Sequence, residues 1–328
     1  MAKKWLVAGA AIVLIAVVAA AQISGHPRLS GAAISIEIMA KPLLLNPEDA
    51  QQNNLGEMRY AGGWVLSSTA ESFGGFSGLM VDAEAQRLLA ISDKGEWWQA
   101  AFDARSNTPP SDSVMLPYEN DADAVSKIDL DAESIVSFGS DILVSFEQRH
   151  RLEQVSVPGE EARLSSFMLD VTFDGVSNNG GMEAIAVLAN GQLLAFAERG
   201  LDQLGRLKAW LSNGAVTEAL SFKPPVNFAP TDAATLPNGD VLVLLRQYSA
   251  IDGVAIKVHH IRRGDILPGA ILEGVEVLHI TPKLSVDNME GLDVVALDED
   301  TVRLVMISDD NFNPLQRILL MMFDYIYQ

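Results

Sequence analysis

From about residue 74 onward the chain alternates short apolar runs with turn-forming residues, and the alternation repeats. Gly74 to Gly95 reads GGFSGLMVDAEAQRLLAISDKG, and Asp129 to Arg149 reads DLDAESIVSFGSDILVSFEQR. NNGGMEAIAVLANGQLLAFAERG follows at Asn178 to Gly200, and APTDAATLPNGDVLVLLRQYS at Ala229 to Ser249. The last copy is DNMEGLDVVALDEDTVRLVMISDDN, Asp287 to Asn311. Each opens on a short polar or acidic residue (Ser77, Glu133, Glu183, Asp232, Glu290) and continues as an apolar strand. A turn then leads to a second apolar strand that ends in a charge: Asp93, Glu147, Glu198, Arg246, or Asp309-Asp310. The turns Asn190-Gly191 and Asn238-Gly239 reach positive φ easily and suit two-residue hairpins.

Further alternating segments, such as 97–103, 255–262 and 317–327, follow these hairpins. The runs lack the 3.6-residue period of a helical solenoid. Three or four strands in each repeat of roughly fifty residues predict an all-β fold, a β-propeller. Strands apolar on both faces suit burial between neighbouring blades. Five repeats are counted, which leaves a five- or six-bladed ring. The last repeat runs out of chain after three strands, while Met58–Ser67 (MRYAGGWVLS) is a strand with no hairpin partner. It is predicted to supply the outer strand of the last blade and so close the ring. Ala33–Leu45 either contributes to a sixth blade or wraps the side.

Lys3 and Lys4 precede an unbroken apolar run, Trp5 to Ala21, that ends in three alanines. A charged start, an apolar stretch and a small-residue end describe a signal peptide over 1–21, or an N-terminal membrane anchor if it is not cleaved. A linker over 22–30 and one propeller domain over 31–328 complete the expected layout, with the globular part outside the cytoplasm.

The chain has 328 residues and a formal net charge of −20. Nucleic-acid partners are excluded by that balance, because their binders need a basic face to displace counterions. Contact with a membrane is expected only through the N-terminal segment. The absence of cysteine removes disulfides, thiolate catalysis and Cys-built metal sites.

Equivalent strand ends of a propeller converge on one mouth, so the openers and end charges predict a funnel of carboxylates with Lys94, Arg149, Arg199 and Arg246 interleaved. Crowded carboxylates must be protonated, paired with arginine or bridged by a cation, and all-oxygen ligands favour Ca²⁺. The candidate metal ligands are Asp93, Glu133, Glu147, Glu198, Asp232, Asp310 and Asn311. Glu290, Glu183 and Asp309 are the candidate catalytic groups, and the four basic residues are candidate substrate ligands. His259-His260, in an alternating strand, is expected to put one ring inside and one outside, and Trp97-Trp98 to serve blade packing or a rim contact. With no G-x-S-x-G, Walker, G-x-G-x-x-G or H-E-x-x-H motif, the remaining hydrolytic route is metal-activated water with carboxylate bases.

Five ordered motifs resemble the phytase-like family of exported bacterial proteins with esterase-like activity of phytase type. They are GGFSGL…AISDKG (74–95), D-A-E…SFEQR (131–149), NNGGMEAIA…NGQLLAFAER (178–199), PTDAATLPNGDVLVLLR (230–246) and DNMEGLDVV…ISDDNFNPLQRILLMMF (287–323). The resemblance implies a β-propeller, export to the periplasm and metal-assisted hydrolysis of a small phosphoester or ester. The better-known calcium-dependent propeller phytases have six blades against the five counted here, and Ser77 and Arg246 stand where the other repeats carry acids. A non-catalytic periplasmic binding propeller and a metal-dependent carboxylic esterase or lactonase are the alternative readings.

Overall fold

The computed structural model describes residues 33–118, 127–158, 164–167, 169, 173, 175–249, 251 and 253–327. The 1–21 signal-or-anchor segment and the 22–30 linker lie outside them. Among the described residues no helix is long and apolar enough to cross a membrane.

Five sheets form a ring. The strands nearest the axis are Phe76–Asp82, Ala132–Phe138, Met182–Val187, Ala229–Thr235 and Asn288–Ala296, and each touches the next round to the first. The protein is therefore a five-bladed β-propeller. Blade 5 draws three strands from the C-terminal end and its fourth from the N-terminal side, where Met58–Ser67 pairs with Ile318–Ile326. That is the closure predicted from the unpartnered strand. The segment ahead of it adds no sixth blade. Ile34–Ser35 pairs with the outer strand of blade 1, Ser111–Pro117, and Met39–Pro42 pairs with Met58–Ser67 of blade 5, so the segment straps the closing interface from outside.

Period-2 patterning accounts for the packing. A strand inside a blade sends alternate side chains into two different blade-to-blade interfaces, so it must be apolar throughout. The five hydrophobic clusters correspond to the five interfaces. Consecutive tryptophans divide in this way: Trp98 packs on Phe73 and Phe76 between blades 5 and 1, and Trp97 stacks on Tyr118 between blades 1 and 2. Both are core residues. The histidines divide likewise but neither faces freely outward, contrary to expectation. His259 is buried, and His260 is held at the blade 4–5 interface by Tyr325 at 2.9 Å and Asp240 at 2.8 Å.

The Asn-Gly turns are three-residue loops rather than two-residue ones. The Leu188 amide donates to the Gln192 carbonyl and the Gly191 amide to Leu188; Leu236, Asp240 and Gly239 repeat the pattern. Gly191 (φ 80°) and Gly239 (φ 89°) take the left-handed position that ends a type I turn with a bulge. These hairpins lie at one face of the ring. At the other face the inner strands begin and the second strands end.

Candidate functional site

Every inner strand carries a β-bulge one or two residues from its start. Against their partners, Phe76 and Gly78 pair with consecutive residues, as do Ala132 and Ser134, Met182 and Ala184, Pro230 and Asp232, and Met289 and Gly291. The skipped residues are Ser77, Glu133, Glu183, Thr231 and Glu290. A bulge re-aims a side chain that the regular pleat would bury between blades. Four of the five turn into the central mouth, whereas the Thr231 hydroxyl donates to the Met289 carbonyl at 3.2 Å.

This register corrects the sequence reading of blade 4. Asp232 is one residue past the bulge and has no accessible surface. Its carboxylate accepts from the Ser134 hydroxyl (2.7 Å), the Ala233 amide (2.9 Å) and the Leu292 amide (2.6 Å). Rather than lining the mouth, it ties the inner strands of blades 2, 4 and 5 together inside the channel.

The second-strand ends are equivalent in register: Asp93, Glu147, Glu198, Arg246 and Asp309 all line one cavity of about 510 Å³. Together with the bulge residues and Asp131 they place eight carboxylates there, those of Asp93, Asp131, Glu133, Glu147, Glu183, Glu198, Glu290 and Asp309, against the cations Arg199 and Arg246. Asn311 lines it too.

Three candidates are placed elsewhere. Arg149 is exposed and pairs with Asp129 at 2.5 Å. The Lys94 ammonium sits 2.9 Å from the centre of the Phe312 ring. Asp310 accepts from the Gly75 amide (2.9 Å) and the Phe312 amide (3.2 Å), which fixes the turn before blade 1. Two neighbours of the site were missed: Asp131, and Asn288, whose amide donates to Glu290 at 2.8 Å. Their signal was a polar-x-Glu triplet at the start of the strand, Asp131-Ala-Glu133 and Asn288-Met-Glu290.

Arg246 compensates part of this charge. Its Nη1 donates to Asn288 Oδ1 and Glu290 Oε1, and its Nη2 lies 3.5 Å from Glu198 Oε1. Burial works against the guanidinium charge, but Glu290 and Glu198 outweigh it and raise its pKa. Arg199 stands further out and pairs with Glu198 at 2.7 Å.

Beyond the ion pairs of Arg246, several acids of the mouth are pushed toward their protonated forms. Burial, then Glu183, Glu290, Glu147 and Asp131, push Glu133 well above the carboxylate range. Burial, then Glu198 and Glu147, do the same to Glu183, which shares a hydrogen bond with a Glu147 that is itself raised by burial. Asp309 is pushed up to about 8 by burial and then by Glu290. These shifts have a definite sign for stability. Between roughly pH 4 and pH 8 the folded chain keeps protons that the unfolded chain releases, so stability falls as pH rises, by about 1.4 kcal/mol per pH unit for each retained proton. Thermal unfolding of the metal-free protein is therefore expected to show a melting temperature that drops steadily from pH 5 to pH 8. Asp309→Asn should flatten the slope, and an unchanged slope would discard this assignment.

One carboxylate oxygen each from Asp131, Glu133 and Glu147 lie within 4.8 Å of one another. This all-oxygen, mutually repelling trio fits a hard divalent cation. Bringing such a cation in would drive the raised carboxyls of Glu133 and Glu147, its own ligands, to ionise.

Comparison with known proteins bears on what such a mouth does. A family model described as "Phytase-like: Esterase-like activity of phytase" matches residues 71–312. Among curated proteins nothing matches. Among solved structures, a hypothetical protein from Leishmania major shares 10% identity over 91% of this chain and 87% of its own, with a TM-score of 0.36. The tail fibre of Staphylococcus aureus phage P68 shares 10% over 84% of this chain and 54% of its own, at a TM-score of 0.45. The Cps50 (Swd1) β-propeller domain of Myceliophteria thermophila shares 10% over 87% and 99%, at 0.38.

Proposed function

Since the chain belongs to the phytase-like family, a family of esterase-like hydrolases, we propose that it is an exported, Ca²⁺-dependent phosphoester hydrolase working at the acidic mouth. The observation that carries this reading is the bulge common to the inner strands, which in blades 2, 3 and 5 turns a glutamate out of the blade and into one cavity. Asp131, Glu133 and Glu147 would hold the ion. Bound there, Ca²⁺ would supply the positive charge that lets these three acids ionise together and would polarise a phosphoryl oxygen of the substrate.

The remaining groups divide the work. Arg199 at the rim meets the incoming anionic group. Burial raises the Glu290 carboxyl, Arg246 opposes that shift and fixes the side chain, and Glu290 accepts a proton from the attacking water. Glu183 keeps a proton at its carboxyl and delivers it to the departing alkoxide, with Glu147 orienting it. Eight carboxylates repel a highly phosphorylated substrate, so a monoester is favoured over phytate. Export to the periplasm or beyond completes the reading, from the charged and apolar leader.

The test is phosphate release from a panel of monoesters, with calorimetric titration of Ca²⁺ alongside. Turnover should be abolished by chelator and restored by Ca²⁺, and Glu133→Gln should weaken Ca²⁺ binding about tenfold or more. Absence of turnover on phosphoesters in saturating Ca²⁺ would refute the proposal. Turnover on neutral esters alone would move the reading to a carboxylic esterase.

A further inference from the structure

The five most exposed large apolar side chains of the described residues are Ile251 (93%), Leu315 (89%), Val226 (85%), Leu204 (75%) and Tyr248 (73%). Four stand on connections at the mouth face, and Tyr248 on the end of a strand that rises there. Leu204, Tyr248 with Ile251, and Leu315 belong to the second-to-third-strand hairpins of blades 3, 4 and 5. Val226 lies on the passage from blade 3 to blade 4. Two of these hairpins rise past the acidic ring: the blade 4 strand continues from Arg246 to Ser249, about 10 Å beyond the cavity wall, before its tip at Ile251. The acidic mouth is thus surrounded on three blades by separate apolar tips.

A second feature points the same way. Ile34 pairs with Met115, two residues from Pro117, where the outer strand of blade 1 ends and the chain turns to the mouth. Only residues 22–33 separate that point from the apolar run Trp5–Ala21, and twelve residues reach at most about 40 Å. The described chain therefore begins on the same side of the ring as the crown of apolar tips, and the apolar run is tethered within reach of it.

We propose that this face sits on the surface of a bilayer of zwitterionic lipid, with the tips of blades 3 to 5 inserted among the headgroups and the mouth opening toward them. Charge selects the lipid. A net charge of −20 and eight carboxylates in the mouth repel an anionic surface, whereas phosphocholine headgroups carry no net charge and present their cations outward. Spaced single side chains at loop tips, with a tyrosine among them, suit insertion into an interface better than a flat protein contact does. The assignment does not depend on the hydrolase reading, because it rests on surface residues that take no part in the chemistry.

The absence of cysteine makes the test clean. Full-length protein carrying Leu204→Cys, Ile251→Cys or Leu315→Cys is labelled with an environment-sensitive fluorophore and added to phosphatidylcholine vesicles bearing a nitroxide-labelled lipid. Val216→Cys and Val275→Cys, on exposed positions of the opposite face, serve as controls. The mouth-face labels are expected to be quenched at least about threefold more strongly than the controls, and less in phosphatidylglycerol vesicles. Equal quenching on both faces, or none at the mouth even with protein bound to the vesicles, overturns the proposal. So does shielding of the mouth labels without lipid as protein concentration rises, which would make a second copy the occupant.

Discussion

Glu183→Gln is expected to lower kcat by about 10²–10⁴ while leaving the protein as stable as the parent or more so. The two effects share one cause. Glu183 is a buried carboxyl whose surroundings keep it protonated, Glu198 and Glu147 adding to the burial. A neutral amide satisfies that environment without the cost of ionisation, and its NH₂ can still donate to Glu147. What the amide lacks is a proton to give away. Steady-state kinetics in saturating Ca²⁺, with a denaturation curve at pH 8, measures both. Lost activity accompanied by lost stability would instead assign Glu183 a purely structural role, and retained activity would remove it from the proposed chemistry.

Arg246→Met should destabilise the fold by about 3–5 kcal/mol at pH 8, because it leaves Glu290 and Glu198 buried around a missing cation. Part of the loss should return at pH 5. With the guanidinium gone, Glu290 is raised further by burial and by Glu198, and protonation becomes its cheapest escape. Arg246→Lys keeps the charge but loses the fork that reaches Asn288 and Glu290 together, so it should fall between the two. Chemical denaturation of the three proteins at the two pH values decides the matter. A methionine variant as stable as the parent at pH 8 would show that the arginine does not neutralise the mouth.

The ring and its closure were readable in the sequence because they rest on period-2 patterning and on a strand, Met58–Ser67, that lacked a local partner. The end charges were readable for the same reason: the second strand of each hairpin runs to the mouth and brings Asp93, Glu147, Glu198, Arg246 and Asp309 to one level. The bulges were not. A skipped residue changes neither composition nor hydrophobicity, only the count of hydrogen bonds, so Thr231 and Asp232 exchanged places in the sequence reading. Asp131 and Asn288 escaped notice because they stand just before the strand and at its first residue, where an isolated polar residue looks like any turn residue. Lys94 and Arg149 sit one and two residues past a mouth residue, yet their side chains leave it, for an aromatic ring and an aspartate respectively.

The N-terminal strap and the strand it leads to have a consequence for how the molecule is assembled. Blade 5 cannot be finished until Ile318–Ile326 emerges from the ribosome, and its waiting partner, Met58–Ser67, is the earliest long strand made. The circle can shut only after translation is nearly over. Until then Glu290 and Asp309 of blade 5 cannot be locked beside the acids of the other blades, and that part of the mutual repulsion is postponed to the last step, when the first-made strand locks against the last.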